Sequence, residues 1–220
     1  MSKEILILLM VLNIISILIQ KKLYNLSIIM RYSVIDYIND MLLSFGRSEE
    51  INKINKINIV QSNNYYYNCK DNIIGIREKS SQKFVDCLAG IHEVGHYISI
   101  YNSLLKKLEL IVCKLIDLII ILFGILELIL LVFYKIGYIK YKINLANEVL
   151  LLFLISLFIC NVNIFYNEYS ASKKSYIYIK KVNYALKNKA LIILLFCFIN
   201  QLLNKSLLVF FMIFAISNIS

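Results

Sequence analysis

The sequence predicts a mainly α-helical membrane protein whose transmembrane helices carry one small α+β module. Three observations support that expectation. The 220 residues are 60% hydrophobic and only 17% charged, more apolar than a water-soluble domain of ordinary composition. The apolar residues gather into runs at 5–20, 110–134, 143–162 and 186–217, which approach or exceed the ~20 residues a helix needs to cross a bilayer. Between the first two runs, residues 21–109 are polar and irregular enough to fold in water, and they amount to one small domain.

The first run, Ile5 to Ile19, carries no charge and reads with Gln20 as a transmembrane anchor. Gln20-Lys21-Lys22-Leu23 follows it where a signal-peptidase site would need small residues, so an uncleaved anchor is expected. The runs 110–134 and 143–162, joined by the basic segment Lys135 to Lys142, read as a transmembrane helical hairpin. Asn200, Gln201, Asn204, Lys205 and Ser206 interrupt the last region, which leaves one span with an interfacial tail or two short re-entrant arms.

Within the polar module, Ser33 to Phe45 has apolar residues at helical spacing, with Gly46 placed to end the helix. Ile54, Ile57 and Ile59 lead into a strand that closes near Gln61. The run Tyr65-Tyr66-Tyr67, the turn-like Asn68 to Asn72 and the short strand Ile73 to Ile76 form a hairpin candidate. Ser80 or Ser81 can cap a helix from near Gln82 to about Ile100.

The formal charge of +10 comes from lysines that flank apolar runs, with no continuous stripe and no nucleic-acid-binding motif. Anionic lipid headgroups are the expected partner of these lysines, and nucleic acid is not. The five cysteines, Cys69, Cys87, Cys113, Cys160 and Cys197, are odd in number and lack C-x-x-C spacing, so they read as unpaired.

The chemical signal is His92-Glu93-Val94-Gly95-His96, an H-E-x-x-H match. On a helix, residues four apart share a face, so both imidazoles can point at one ion. Zinc suits that donor pair, and a glutamate beside the first ligand can serve as general base toward a water on the metal. His92 and His96 are the only histidines in the chain, and a catalytic zinc site takes three protein ligands. Glu109, Asp117, Glu127, Glu148 and Glu168 are the downstream candidates. Topology separates them, because the chain beyond the third span returns to the side on which His92 and His96 lie. Glu168, in the segment 163–185, is on that side; Glu148 is on the far side, Glu127 lies deep in the second span, and Asp117 enters it by one to two turns.

The order of parts resembles the bacterial neutral zinc metallopeptidases of the membrane-bound YugP-like family. An anchor, a small module, H-E-V-G-H and a transmembrane pair are followed by an E-F-N-A-S-like stretch, here Glu168-Tyr169-Ser170-Ala171-Ser172. The resemblance implies a zincin-like module, one zinc ion on His92, His96 and a gluzincin-type Glu168, Glu93 as the catalytic base, and hydrolysis of peptide bonds in a peptide or protein substrate. The chain departs from the family at Tyr65-Tyr66-Tyr67-Asn68-Cys69, where a D-H-Y-D-P-like stretch is usual, and at Tyr97, where a small residue is usual. Tyr97, Tyr169 and the Tyr65 to Tyr67 cluster are candidate oxyanion donors, and the hairpin edge is a candidate binding site for an extended peptide.

Two other readings differ in class: an intramembrane site-2-type protease with Asp117 as third ligand, and a catalytically silent membrane scaffold that keeps the motif for structure. Lysine pairs at Lys21-Lys22, Lys106-Lys107 and Lys173-Lys174 flank the motif's side of the membrane. The expectation is therefore a multi-pass cell-membrane protein with its site facing the cytoplasm.

Overall fold

The computed structural model describes residues 3–45, 57–100 and 165–219, together with scattered positions between 111 and 138. The chain divides into two units: Met1–Ile17, Glu109–Phe165 and Ile199–Ser220 form one, and Leu18–Leu108 with Tyr166–Phe198 form the other.

Among the described residues of the first unit, helices α1 (Lys3–Tyr24) and α5 (Lys187–Ile219) dominate, and both continue into the second unit. Large apolar side chains, among them Ile7, Leu8, Leu12 and Ile14, stand exposed along α1. Two segments, Leu6–Tyr24 and Tyr184–Asn204, are long and apolar enough to cross a membrane. Helix α5 runs through Asn200, Gln201, Asn204 and Lys205 without a break over 33 residues, which is one continuous helix and not two arms. At 1.5 Å per residue it is ~50 Å long, well beyond the ~30 Å of a hydrocarbon core. The polar interruption has a partner, since Asn13 Nδ2 on α1 donates to Asn204 Oδ1 at 2.8 Å. The described positions between 111 and 134 are helical. That helix closes on Gly137 (φ 85°), with Tyr138 N–H donating to Phe133 O and Gly137 N–H to Tyr134 O. This double bond around a left-handed glycine is the Schellman arrangement. The expected third span, 143–162, lies outside the described residues, as do Glu109, Asp117, Glu127 and Glu148.

The second unit has a hydrophobic core of its own. Helix α2 (Val34–Ser44) starts with a capping box: Ser33 Oγ accepts from Asp36 N–H, and the Asp36 carboxylate accepts from Ser33 N–H at 3.1 Å. Gly46, expected to end it, lies outside the described residues, and Phe45 is the C-cap. Strands β1 (Asn58–Gln61), β2 (Tyr66–Asn68) and β3 (Ile73–Ile76) form a sheet of order β1-β3-β2. The β2–β3 hairpin pairs antiparallel, with Tyr67 opposite Ile74, and its turn places Asn72 at φ 52°. Asparagine tolerates that left-handed conformation better than most residues. Strand β1 pairs parallel with β3, Asn58 opposite Ile73, so both outer strands are edges.

Helix α3 (Phe84–Ile100) carries the H-E-x-x-H motif. It begins two residues later than expected because Gln82 O accepts from Met30 N–H, Ile29 and Lys83 form a bridge, and Phe84 N–H donates to Ile28 O. Ser81 still acts at this end, accepting from Lys83 N–H and donating to Asp86 Oδ2 at 2.6 Å. Gly90 lets α2 approach, for a Cβ there would sit 2.8 Å from Val34 Cγ1. Helix α4 spans 165–182, and a short 3-10 turn, Tyr184–Leu186, leads to α5. Residues from α2, the sheet, α3, α4 and the start of α5 meet in one core, in which Ile38, Met41, Ile74, Phe84, Ile91, Val94 and Ile179 are almost fully buried. Of the cysteines, Cys69, Cys87 and Cys197 are free thiols, and Cys113 and Cys160 lie outside the described residues.

Candidate metal centre

The site is built from two helices of the second unit. On α3, positions 92 and 96 are one turn apart and share a face, which sets the two imidazole rings edge to face with centroids 4.7 Å apart. On α4, Glu168, Ala171, Ser172, Ser175 and Ile179 recur at three- and four-residue spacing and so share a face. Tyr166 and Tyr169 project from α4 at 58% and 57% exposure.

Where the faces meet, ligand atoms of His92, His96 and Glu168 all lie within 4.8 Å of one another. His92 Nε2 is 3.2 Å from Glu168 Oε2, His96 Nε2 is 3.3 Å from Glu168 Oε1, and the two Nε2 atoms are 3.1 Å apart. Protons alone fit this arrangement poorly. If each neutral imidazole donates its Nε2 proton to the carboxylate, two N–H groups confront each other across 3.1 Å; if either nitrogen is bare, one carboxylate oxygen faces a lone pair. A cation at the centre removes the conflict. Tetrahedral coordination at ~2.0–2.1 Å would separate ligand atoms by about 3.3–3.4 Å, close to the separations found. The donor set therefore fits a small divalent ion, and a His-His-Glu group of this kind can hold one.

The surroundings support the same geometry. Ser172 Oγ lies 3.5 Å from His92 Nδ1, where it can accept the Nδ1 proton and leave Nε2 free to ligate. The side chains of His92, His96 and Glu168 retain 14%, 13% and 18% exposure, so the centre is mostly buried yet reachable. Burial pushes the Glu168 carboxyl up, but hydrogen bonds from His92 and His96 outweigh it and hold the group well below the usual carboxylate range. Glu93, on α3 beside His92, behaves oppositely. Burial raises its pKa to about 7; His92 opposes the rise, the Glu168 charge adds to it, and a hydrogen bond from the backbone N–H of Tyr67 opposes it. A carboxyl poised near neutrality is suited to taking and returning a proton.

Sequence spacing did not reveal how the two helices come so close. A Cβ at Gly95 would lie 2.6 Å from Ala171 O and 3.0 Å from Ala171 Cα, so only glycine allows α3 and α4 to touch backbone to backbone there. Ser175 Oγ spans the same contact, donating to Ala171 O at 2.8 Å with Ile91 O at 3.3 Å. Gly95 sits inside the motif, and Ser172 and Ser175 lie on the Glu168 face; these were the available signals. Two of the tyrosines considered as oxyanion donors, Tyr97 and Tyr67, are otherwise engaged. Tyr97 is 2% exposed and packs edge-on against Tyr67, whose hydroxyl donates to Asn72 Oδ1 at 3.2 Å. Scans against protein-family models, curated proteins and solved structures found no match to this chain.

Proposed function

We propose that this chain is a multi-pass membrane zinc endopeptidase of the gluzincin type, related to the YugP-like peptidases that its sequence resembles. The observation that carries the reading is the convergence of His92, His96 and Glu168 from two helices, with ligand atoms 3.1–3.3 Å apart. Two imidazoles and one carboxylate are the ligand set of zinc hydrolases and leave a coordination position open. When bound, zinc would supply a Lewis acid that polarises a peptide carbonyl and makes water acidic enough to deprotonate near neutral pH.

The protein's own groups account for the remaining chemistry. Glu93 would accept the proton of the attacking water and return it to the leaving amine. Tyr67 on edge strand β2 is among the groups that act on the Glu93 carboxyl, which supports a substrate path along β2. An extended substrate lying along β2 would present its peptide bonds to that carboxylate with sequence-tolerant main-chain hydrogen bonds. The two apolar helical segments support insertion in a bilayer, and the basic residues near the motif support a cytoplasmic site.

The test is metal analysis of purified wild type beside His96→Ala, paired with a chelator-sensitive assay on a casein-like substrate. Wild type is expected to bind one zinc and cleave, His96→Ala to do neither, and Glu93→Gln to keep the metal while losing cleavage. Unchanged proteolysis by a metal-loaded Glu93→Gln would leave the scaffold reading in place. If Asp117→Asn empties the site while Glu168→Gln does not, the intramembrane reading is correct.

A further inference from the structure

One turn beyond His96, the hydroxyl of Ser99 is the hub of a hydrogen-bonded cluster joining α3 to α4. Ser99 is 8% exposed and donates to Gly95 O at 2.7 Å. Its oxygen lies 2.7 Å from Lys174 Nζ, which can only donate, and 3.0 Å from Ser170 Oγ. Because the Ser99 proton is committed to Gly95 O, Ser170 is the donor in the second contact. One hydroxyl thus makes three hydrogen bonds, and both groups that donate to it come from the helix that carries Glu168. Ser170 lies two residues beyond Glu168, and Lys174 one further turn along. The same turn of α3 holds Gly95, whose missing Cβ admits the Ala171 backbone.

The separation of α3 and α4 at the metal centre is therefore defended by two different devices. The glycine sets how closely the helices approach, and the serine hub sets how α4 is rotated and advanced along α3. A shift of α4 by even a fraction of an ångström moves the Glu168 carboxylate away from both imidazoles. We propose that Ser99 and Lys174 are positioning residues that fix Glu168 against His92 and His96, and so determine the affinity and coordination geometry of the metal centre. This rests on the metal-site reading above and adds to it a role for two residues that touch neither ion nor substrate.

The experiment uses the full chain in detergent, with Co2+ as the probe because its visible absorption reports coordination geometry. Wild type, Ser99→Ala, Lys174→Met, Lys174→Arg and the Ser99→Ala/Lys174→Met double variant are titrated, with His96→Ala as the metal-site control. Each removal is expected to weaken Co2+ binding about 10-fold, within the range for groups that orient ligands, and to alter the absorption band. Lys174→Arg, which keeps a cationic donor, is expected to recover most of the loss. If Lys174 acts through Ser99, the double variant falls within about twofold of the weaker single variant. Wild-type affinity and spectrum in the variants, with the loss confined to thermal stability, overturn the proposal, as do fully additive losses. Should Lys174→Met fold poorly, Ser170→Ala carries the same test and the same two outcomes. A wild type that takes up no Co2+ overturns the metal reading itself and this proposal with it, whereas binding that every substitution leaves intact overturns this proposal alone.

Discussion

Gly95 of α3 meets the backbone of Ala171 of α4 so closely that a Cβ at position 95 would stand 2.6 Å from the alanine carbonyl oxygen. The contact lies one residue before His96 and three after Glu168, so the distance between the two halves of the metal centre is set there. Gly95→Ala must push the helices apart, because backbone cannot rotate away as a side chain can. Overpacking of this kind costs ~1–3 kcal/mol, against the roughly 1 kcal/mol that alanine returns in helix propensity. The expected result is a net loss of stability with a marked loss of bound metal. Gly90→Ala is the control, since the atoms nearest its new Cβ are side-chain atoms of Val34 and Ile38 on α2, at 2.8 Å and 3.2 Å, and none belongs to α4. It should also lose stability, by ~1–3 kcal/mol because Val34 is buried and β-branched, and yet leave metal content intact. Equal metal loss in the two variants would show that position 95 has no special place.

Glu168→Gln keeps the shape of the side chain and removes its charge. Metal affinity should fall by more than the ~10–100-fold typical of an outer-shell loss, because a direct ligand is weakened. Ser172→Ala should fall within that range, since it deprives only His92 Nδ1 of its neighbour. Isothermal titration with zinc checks the ranking, and a Ser172→Ala defect larger than that of Glu168→Gln would reverse the assignment of the third ligand.

Much of this centre was legible in the sequence, for identifiable reasons. His92 and His96 are legible because helical spacing is periodic, and Glu168 because a chain that crossed twice after His96, as its apolar runs suggest, would return it to the histidines' side. The hairpin of β2 and β3 was visible because Asn68 to Asn72 carries turn chemistry between apolar runs. What escaped notice depends on contacts between elements: the close approach at Gly95, the three hydrogen bonds of Ser99, and the parallel pairing of β1 with β3. Local propensity favours a helix from near Gln82, whereas Gln82 O accepts from Met30 N–H and Lys83 forms a bridge with Ile29. Local pattern predicts what a segment prefers, and the position of its neighbours decides what it does.

The raised pKa of Glu93 has a consequence for stability in metal-free protein. In the unfolded chain this carboxyl ionises near 4.5, whereas in the fold it ionises at about 7. Between those values the native state holds a proton that the unfolded state has released, so stability falls as pH rises through the window. Below about pH 4.5 both states are protonated and the group contributes nothing unfavourable; above about 7 the full cost applies, on the order of 3 kcal/mol. Glu93→Gln should therefore unfold at a higher temperature than wild type at pH 8 in chelator, and at nearly the same temperature at pH 4.5. A difference that does not vary with pH would mean that the carboxyl is not buried as described.

Asn13 and Asn204 join α1 to α5 by an amide hydrogen bond of 2.8 Å. Inside a bilayer such bonds average ~0.6 kcal/mol, with a maximum near 1.7, because polar groups of the unfolded protein also find partners in the membrane. A double-mutant cycle with Asn13→Leu and Asn204→Leu in lipid vesicles should return a coupling in that range. A coupling indistinguishable from zero would mean that the two amides do not pair in lipid.

The side of the membrane that the site faces can be read from Cys69, a free thiol in the turn between β2 and β3. The hairpin belongs to the same unit as the metal centre, so its accessibility reports where the chemistry takes place. A variant that keeps Cys69 and replaces the other four cysteines by alanine or serine gives one reporter. With a cytoplasmic site, a membrane-impermeant maleimide should leave Cys69 unlabelled in intact cells and label it once the membrane is opened. Lys21-Lys22 and Lys173-Lys174 supply the physical reason, since basic residues beside apolar segments are retained on the cytoplasmic side. Labelling in intact cells would place the site outside, and the substrates with it, because a peptidase cleaves only chains that reach its own face of the bilayer.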